Sequence, residues 1–333
     1  MSRRRLLVLP ALVGTLVALA GCSVAPTATA VTDPTQGPSE PASSDCPATV
    51  TIESPPERVV TMDSNAAAIM IRLGLQDRLV GTAAPQFIAD YDGELRAGLE
   101  SVPVLDQGTG NKEAVIAANP DLVTGMSALE IGGFQGNPTA SDLAENGASA
   151  LIACGVTEGG ITTGIDATYR YITALAQVFD VADRGEALVD ELKQEVAAAT
   201  ADLGDEPVRI VTVFAVPDGG AGIAVRGESS FANGVLTLAG GENIAGDQRS
   251  DFVTLSAEAL TEADPEVIVA ASGFTKLSDA DFRDAILDSP LLRESSAVKN
   301  RHVVVVPSGA LLSPGLLNVN VIRAIADEVV AAS

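Results

Sequence analysis

Few residues in this chain are equipped for covalent or redox chemistry. Histidine occurs once, at His302, and tryptophan is absent; cysteine occurs three times, at Cys22, Cys46 and Cys154. A zinc, manganese or haem site assembled from several imidazoles is therefore excluded, and no resident metal or cofactor is expected. A Ser-His-Asp triad would have to use His302. Ser296-Ala297-Val298-Lys299 matches the Ser-x-x-Lys nucleophile pattern. Its companion motifs Ser-Asp-Asn and Lys-Thr-Gly are missing, and a four-residue match arises easily by chance. No Gly-x-Ser-x-Gly elbow, Walker loop or dinucleotide fingerprint is present. The residues do not read as an enzyme. Nor do they read as a nucleic-acid binder: 44 Asp+Glu against 20 Lys+Arg give a net charge of −24, which leaves nothing to offset phosphate.

The cysteines carry the most specific local signal. Arg3, Arg4 and Arg5 open the chain, an apolar run follows from Leu6 to Ala20, and the run closes on Leu19-Ala20-Gly21-Cys22. The run is short for a membrane span. The pattern resembles the lipobox of bacterial lipoproteins, in which the Cys thiol takes a diacylglycerol before cleavage. Residues 1–21 are thus expected to be a signal peptide, with Cys22 lipidated on the outer face of the cytoplasmic membrane. Residues 22–45 are rich in Thr, Ser, Pro and Ala, too poor in large apolar groups to offset their ordering entropy, and read as a disordered tether. Lipidation of Cys22 leaves Cys46 and Cys154 as a pair in an oxidising compartment. A Cys46–Cys154 disulfide is expected, stabilising by up to about 4–5 kcal/mol in the chain-entropy account.

With 47% hydrophobic and 19% charged residues the rest is globular and long enough for two domains. Short β-branched runs alternate with helical patterns. Arg58–Met62 reads as a strand, Ser64 as the cap of the next helix and Gly74 as its stop. Further strands are read at 79–82, 102–105, 121–125 and 150–153, with short helices at 111–119 and 141–146. From 166 to 203 there is no strand: one helix runs over 166–179 and a longer one from 182. In the latter Leu188, Leu192, Val196, Ala199 and Leu203 recur at helical spacing. Alternation then resumes, with strands at 208–216, 223–225, 267–271 and 302–306 and helices at 230–238, 257–263 and 279–287. Ser313-Pro314 reads as the start of the last helix. The fold class is α/β: two lobes with mainly parallel sheets joined by one long rigid α-helix. The expected organisation is an N-terminal lobe over 46–181, a connecting helix over 182–207 and a C-terminal lobe over 208–333.

An ordered set of motifs runs across both lobes: Pro56-Glu57-Arg58-Val59-Val60, Leu73-Gly74-Leu75, Asn111-Lys112-Glu113-Ala114-Val115-Ile116-Ala117, Asn119-Pro120-Asp121, Gly240-Gly241-Glu242-Asn243, Ser256-Ala257-Glu258-Ala259-Leu260, Asp264-Pro265-Glu266 and Val298-Lys299-Asn300-Arg301-His302. From about residue 55 to 330 the chain resembles the helical-backbone family of ABC-importer substrate-binding proteins for ferric siderophores, haem and cobalamin. The resemblance implies a monomer that captures a small iron chelate and delivers it to a membrane permease with its ATPase, attached to the membrane by its lipid alone. It also implies docking through one acidic residue per lobe, which by motif are Glu113 and Glu258. A first-turn carboxylate complements the helix dipole as well.

Ligands of open α/β sheets bind beyond the carboxyl ends of the strands. The loops there supply Asp63, Ser64, Gln86, Phe87, Tyr91, Gln107 and Met126 in the first lobe. The second lobe supplies Arg226, Phe231, Arg249 and Phe274. In so acidic a chain, Arg226 and Arg249 could pair with an anionic chelate through the planar guanidinium fork. Family members that bind cobalamin usually stack it on aromatic residues, and the loop at Gln107-Gly108-Thr109 has none. Haem binders usually offer His or Tyr, and His302 opens a predicted strand. A ferric siderophore is the leading expectation, because its metal arrives already chelated; cobalamin, haem and a non-transport surface role stay open.

Overall fold

A computed structural model describes residues 54–153, 164–217 and 222–333. Cys22, Cys46 and Cys154, together with the signal peptide and tether, lie outside the described residues. No described helix is long and apolar enough to cross a membrane.

The first lobe runs β1 (Val59–Thr61), α1 (Ser64–Arg72), β2 (Leu79–Thr82), α2 (Gly93–Ser101), α3 (Lys112–Ala117), β3 (Leu122–Gly125), α4 (Ala140–Glu145) and β4 (Ser149–Ile152). Its sheet is parallel in the order β2-β1-β3-β4. Central strands such as β1 and β3 are buried along their whole length. This is why they read as continuous apolar runs rather than alternating ones. Two helices follow, α5 (Asp166–Val178) and α6 (Ala182–Ala199). The second lobe runs β5 (Val208–Val213), β6 (Ile223–Arg226), α7 (Phe231–Leu238), β7 (Gly241–Asn243), β8 (Phe252–Leu255), α8 (Ala257–Ala263), β9 (Val267–Ser272), α9 (Asp279–Leu287), α10 (Ser296–Asn300), β10 (Val303–Pro307), α11 (Ser308–Leu312) and α12 (Asn318–Ala332). Its main sheet is parallel in the order β10-β9-β5-β7, and β6 and β8 form a separate antiparallel ribbon.

Read from the other edge, the second sheet is β7-β5-β9-β10, the chain-order pattern of β2-β1-β3-β4. The two lobes therefore repeat one topology, with β6 and β8 inserted in the second copy. The repeat extends to side chains. Arg58 donates from Nε to the carbonyl of Asn119 (2.8 Å) and from Nη2 to that of Ala118 (2.6 Å), at the end of α3. Arg209 donates from Nε to Ala263 (3.0 Å) and Asp264 (3.1 Å), at the end of α8. The amide of Arg58 donates to Asp121 and that of Arg209 to Glu266. Asn119 and Asp264, each just before a proline, both take positive φ, 48° and 40°.

α6 joins the lobes. Leu188, Leu192 and Val196 are buried in a core that continues from α1 through α5 to α12. Arg184 Nη1 donates to the Leu73 carbonyl (3.0 Å) and Arg72 pairs with Glu191 (2.9 Å), both toward the first lobe. Gly185 lets α6 lie against α5, because a Cβ there would strike Ala176.

Several expectations need correction. Asp63, not Ser64, caps α1: its Oδ1 accepts from the Ala66 amide at 2.8 Å, and Ser64 is the first helical residue. The last helix starts at Asn318, not Pro314. Buried Asn318 ties the preceding turn, accepting from the Gly315 amide (2.7 Å) and donating to the carbonyls of Ala310 (2.6 Å) and Ser313 (2.9 Å). Residues 102–105 contribute one bridge, Thr82 to Val104, since Pro103 has no amide to donate. The helix at 182 ends at Ala199 and not Leu203.

Candidate ligand-binding cleft

The loops after β1, β2 and β3 carry the first-lobe residues that the sequence singled out; in the second lobe Phe274 follows β9, while Arg226 ends β6 of the antiparallel ribbon. In the first lobe Asp63, Ser64 and Asn65 follow β1 and are buried. Ser64 Oγ donates to the Gln86 carbonyl (2.5 Å), and Gln86 Nε2 donates to the Gly108 carbonyl (2.5 Å). These bonds string the loops after β1 and β2 to the exposed loop containing Gln107. Tyr91 is 2% exposed and donates to Asn65 Oδ1 at 2.8 Å. Burial, then the nearby Asp63 and Asp90 carboxylates, hold its phenol protonated far above the usual range. Met126 follows β3, and its side chain is packed in the core. Its amide donates to Asp63 Oδ2 (3.0 Å) and also to Glu130 Oε2 (2.9 Å).

The second lobe meets this edge at α11, which follows β10 directly, and at the turn after it. Phe87, partly exposed and with φ 70°, lies on Gly309, where a Cβ would reach the ring. Asn65 Nδ2 points at the Gly309 carbonyl (3.5 Å), and a Cβ on Gly315 would crowd the Asn65 side chain. Glycine at 309 and 315 thus permits the close approach of the lobes.

Outward along the second edge stands an aromatic and cationic wall. Phe274, after β9, is 59% exposed and meets Phe214, after β5, edge to face at 5.5 Å. The Arg226 guanidinium lies 5.3 Å from the Phe214 ring centre and 3.6 Å from that of Phe252. Phe252 is 60% exposed and sits opposite Arg226 in the β6–β8 register. Arg226 itself is 7% exposed; Nη1 pairs with Asp251 (2.6 Å), and its buried Nε has no partner among the described residues. Desolvation lowers its pKa, and Asp251 opposes that shift.

The remaining candidates divide. Arg249 is fully out in solvent and only 3.9 Å from Glu228, a surface ion pair of little worth. The two arginines are therefore not equivalent: one is a stacked, buried cation and the other a solvated one. Phe231 is buried at the start of α7 and offers no surface to a ligand. Glu113 and Glu258 are both exposed, in the first turns of α3 and α8, which Asn111 and Ser256 cap. They are equivalent positions of the repeat. The Glu258 carboxylate sits below its ordinary pKa, held by its own amide and then by the Ser256 hydroxyl.

Residues with enzyme-like patterns are engaged elsewhere. Ser296 Oγ donates to Asp264 Oδ2 (2.8 Å) and its amide to Oδ1 (2.7 Å), while Lys299 pairs with Glu294 (3.5 Å). His302 Nδ1 lies 2.8 Å from Glu328 Oε1. It precedes β10 at the amino edge of the sheet, away from the cleft. Sequence reading missed Glu130 and the wall residues Phe214 and Phe252. Each is a lone residue in a loop or short strand without a motif, and only the fold sets Glu130 beside Asp63 and the two rings beside Arg226.

The described residues form two α/β lobes, with exposed rings set around a buried guanidinium on the second. Comparisons with known proteins agree. The chain is 27% identical to a cobalamin-binding protein of Halobacterium salinarum over 270 residues, 80% of this chain and 67% of that one. The structure matches a periplasmic binding protein from Veillonella parvula with a TM-score of 0.70 at 23% identity, covering 84% of this chain and 93% of that one. It also matches an ABC-type Fe3+-hydroxamate transport protein from Saccharomonospora viridis, with a TM-score of 0.67 at 27% identity, covering 83% and 94%. Residues 59–310 match the periplasmic binding protein family, and the chain belongs to that family as a non-enzymatic substrate-binding protein.

Proposed function

We propose that this protein is the extracytoplasmic, lipid-anchored receptor of an ABC importer and captures a ferric chelate of the siderophore class in the cleft. The observation that carries the reading is the cluster Phe274–Phe214–Arg226–Phe252 in the second lobe, where exposed rings surround a buried guanidinium. Rings and a stacked guanidinium suit a bulky ligand with apolar faces and anionic edges. No imidazole reaches the cleft and Tyr91 is committed to Asn65, which favours a metal that brings its own ligands. The similarity to the Fe3+-hydroxamate transport protein supports this class. A second reading, cobalamin, is favoured by the exposed phenylalanine rings and by the Halobacterium relative. Cys22 is the proposed anchor, Cys46–Cys154 the proposed disulfide, and Glu113 with Glu258 the proposed contacts to the permease. Calorimetric titration of the lipid-free protein with ferrioxamine B, cyanocobalamin and haemin tests the reading. Tight binding of the ferric chelate alone supports it; binding of cyanocobalamin alone installs the second reading; no binding of any of the three overturns both.

A further inference from the structure

Asp63 and Glu130 approach each other in a way that neither capping nor packing requires. The Met126 amide donates to Asp63 Oδ2 at 3.0 Å and to Glu130 Oε2 at 2.9 Å. Two acceptors on one N–H, each with acceptable donor geometry, lie no more than about 4 Å apart. Asp63 is 7% exposed, and the Glu130 carboxylate rests on the backbone of Gly125, where a Cβ would collide with it. Two ionised carboxylates so close and so dry repel strongly, and one proton between them removes the repulsion. Both groups are accordingly raised: Asp63 by burial against four opposing hydrogen bonds, and Glu130 well upward by burial and then by the Asp63 charge.

Among the described residues no cation relieves the pair, and neither carboxylate joins a salt bridge. The titratable groups that face it are Tyr171 from α5, whose hydroxyl meets Thr124 Oγ1 at 2.6 Å, and Tyr91, bonded to Asn65. Burial keeps both phenols neutral through the physiological range. The pair also holds position. Asp63 Oδ1 caps α1, and the next two residues carry the bonds to Gln86, Tyr91 and Gly309 described above.

We propose that Asp63 and Glu130 share a single proton across the Met126 amide, and that this proton latches the first-lobe edge of the cleft. Glu130 is a positioning residue: protonated, it shields Asp63 and lets it cap α1; ionised, it drives Asp63 from the cap. The latch is complete between the two titrations of the pair and weakens as pH rises through the upper one.

The test needs no ligand, so its failure is separable from failure of the binding reading. Thermal unfolding of wild type and Glu130→Gln is followed from pH 5 to pH 9. The substituted amide keeps the shape and removes the second charge, so the gap in Tm should widen in the variant's favour as pH rises, by at least about 2–4 °C across the range. A gap that is constant with pH overturns the proposal. Should the variant fold poorly, a carboxyl 13C titration of wild type decides: the carboxyl of Glu130 or Asp63, and not only that of Asp90, which burial also raises, should titrate well above the ordinary Asp and Glu range of about 4. If Asp63 and Glu130 both titrate in that range, no proton is shared and the latch is rejected.

Discussion

Phe252→Ala is the sharpest probe of the cleft wall. A Phe side chain presents about 200 Å², and Phe252 is 60% exposed, which leaves about 120 Å² for a ligand to cover. At roughly 25 cal/mol per Å² full coverage contributes about 3 kcal/mol, and half coverage about 1.5 kcal/mol, near tenfold in Kd. Losing the ring over Arg226, 3.6 Å away, removes a further cation–π contribution of about 0.5–1 kcal/mol from the free protein. That loss is modest because water then reaches the uncovered guanidinium. Binding of the chelate by calorimetry and unfolding by denaturant separate the two effects. Affinity should fall about tenfold or more, while stability falls by about 2–3 kcal/mol, from the roughly 80 Å² of the ring already buried and the lost cation–π contact. Phe252→Leu, which keeps most of the apolar area, should recover part of the affinity. Val330→Ala removes a similarly exposed side chain from α12, 44% exposed, and should leave affinity unchanged. Wild-type affinity in Phe252→Ala would refute the assignment of the wall to the ligand.

Other expectations follow from the same geometry. Glu113→Lys with Glu258→Lys should abolish uptake in cells while leaving chelate affinity within about twofold, because both carboxylates stand in solvent at capped helix starts; transport at the wild-type rate would reject the docking role. Arg58→Ala and Arg209→Ala each remove guanidinium bonds to two carbonyls at a helix end. Each should cost about 1–3 kcal/mol in denaturant unfolding, and the two costs should be similar if the repeat is energetic as well as geometric.

Much of the fold was legible, because parallel strands buried on both faces announce themselves as apolar runs and helices as spaced ones. β9 and α6 are examples. What escaped was short or held by distant partners. β7 spans three residues and α11 five, below the length at which periodicity can register. Pro314 looks like a helix start, but Asn318, fixed by Thr168 from α5 at 2.8 Å, sets the start four residues later. The site was legible in its loops and not in its chemistry. Asp63, Ser64 and Gln86 do gather at one edge, whereas Phe231 reads as an exposed loop aromatic and proves to be core. Composition cannot say that two of the eight phenylalanines, Phe214 and Phe252, lie against one arginine and that a third, Phe274, meets Phe214.

The matched staples of Arg58 and Arg209 have a consequence for assembly. They clamp α3 and α8 to equivalent strands, and Glu113 and Glu258 each stand six positions before the left-handed residue, Asn119 or Asp264, that ends its helix. One chain thus displays the same small helix twice, with the same charge at the same place. Any partner that grips both helices meets one geometry two times over. A partner made of two identical subunits about a twofold axis can answer it with a single surface, so one chain can sit on a symmetric dimer without either one having to break its pattern of contacts.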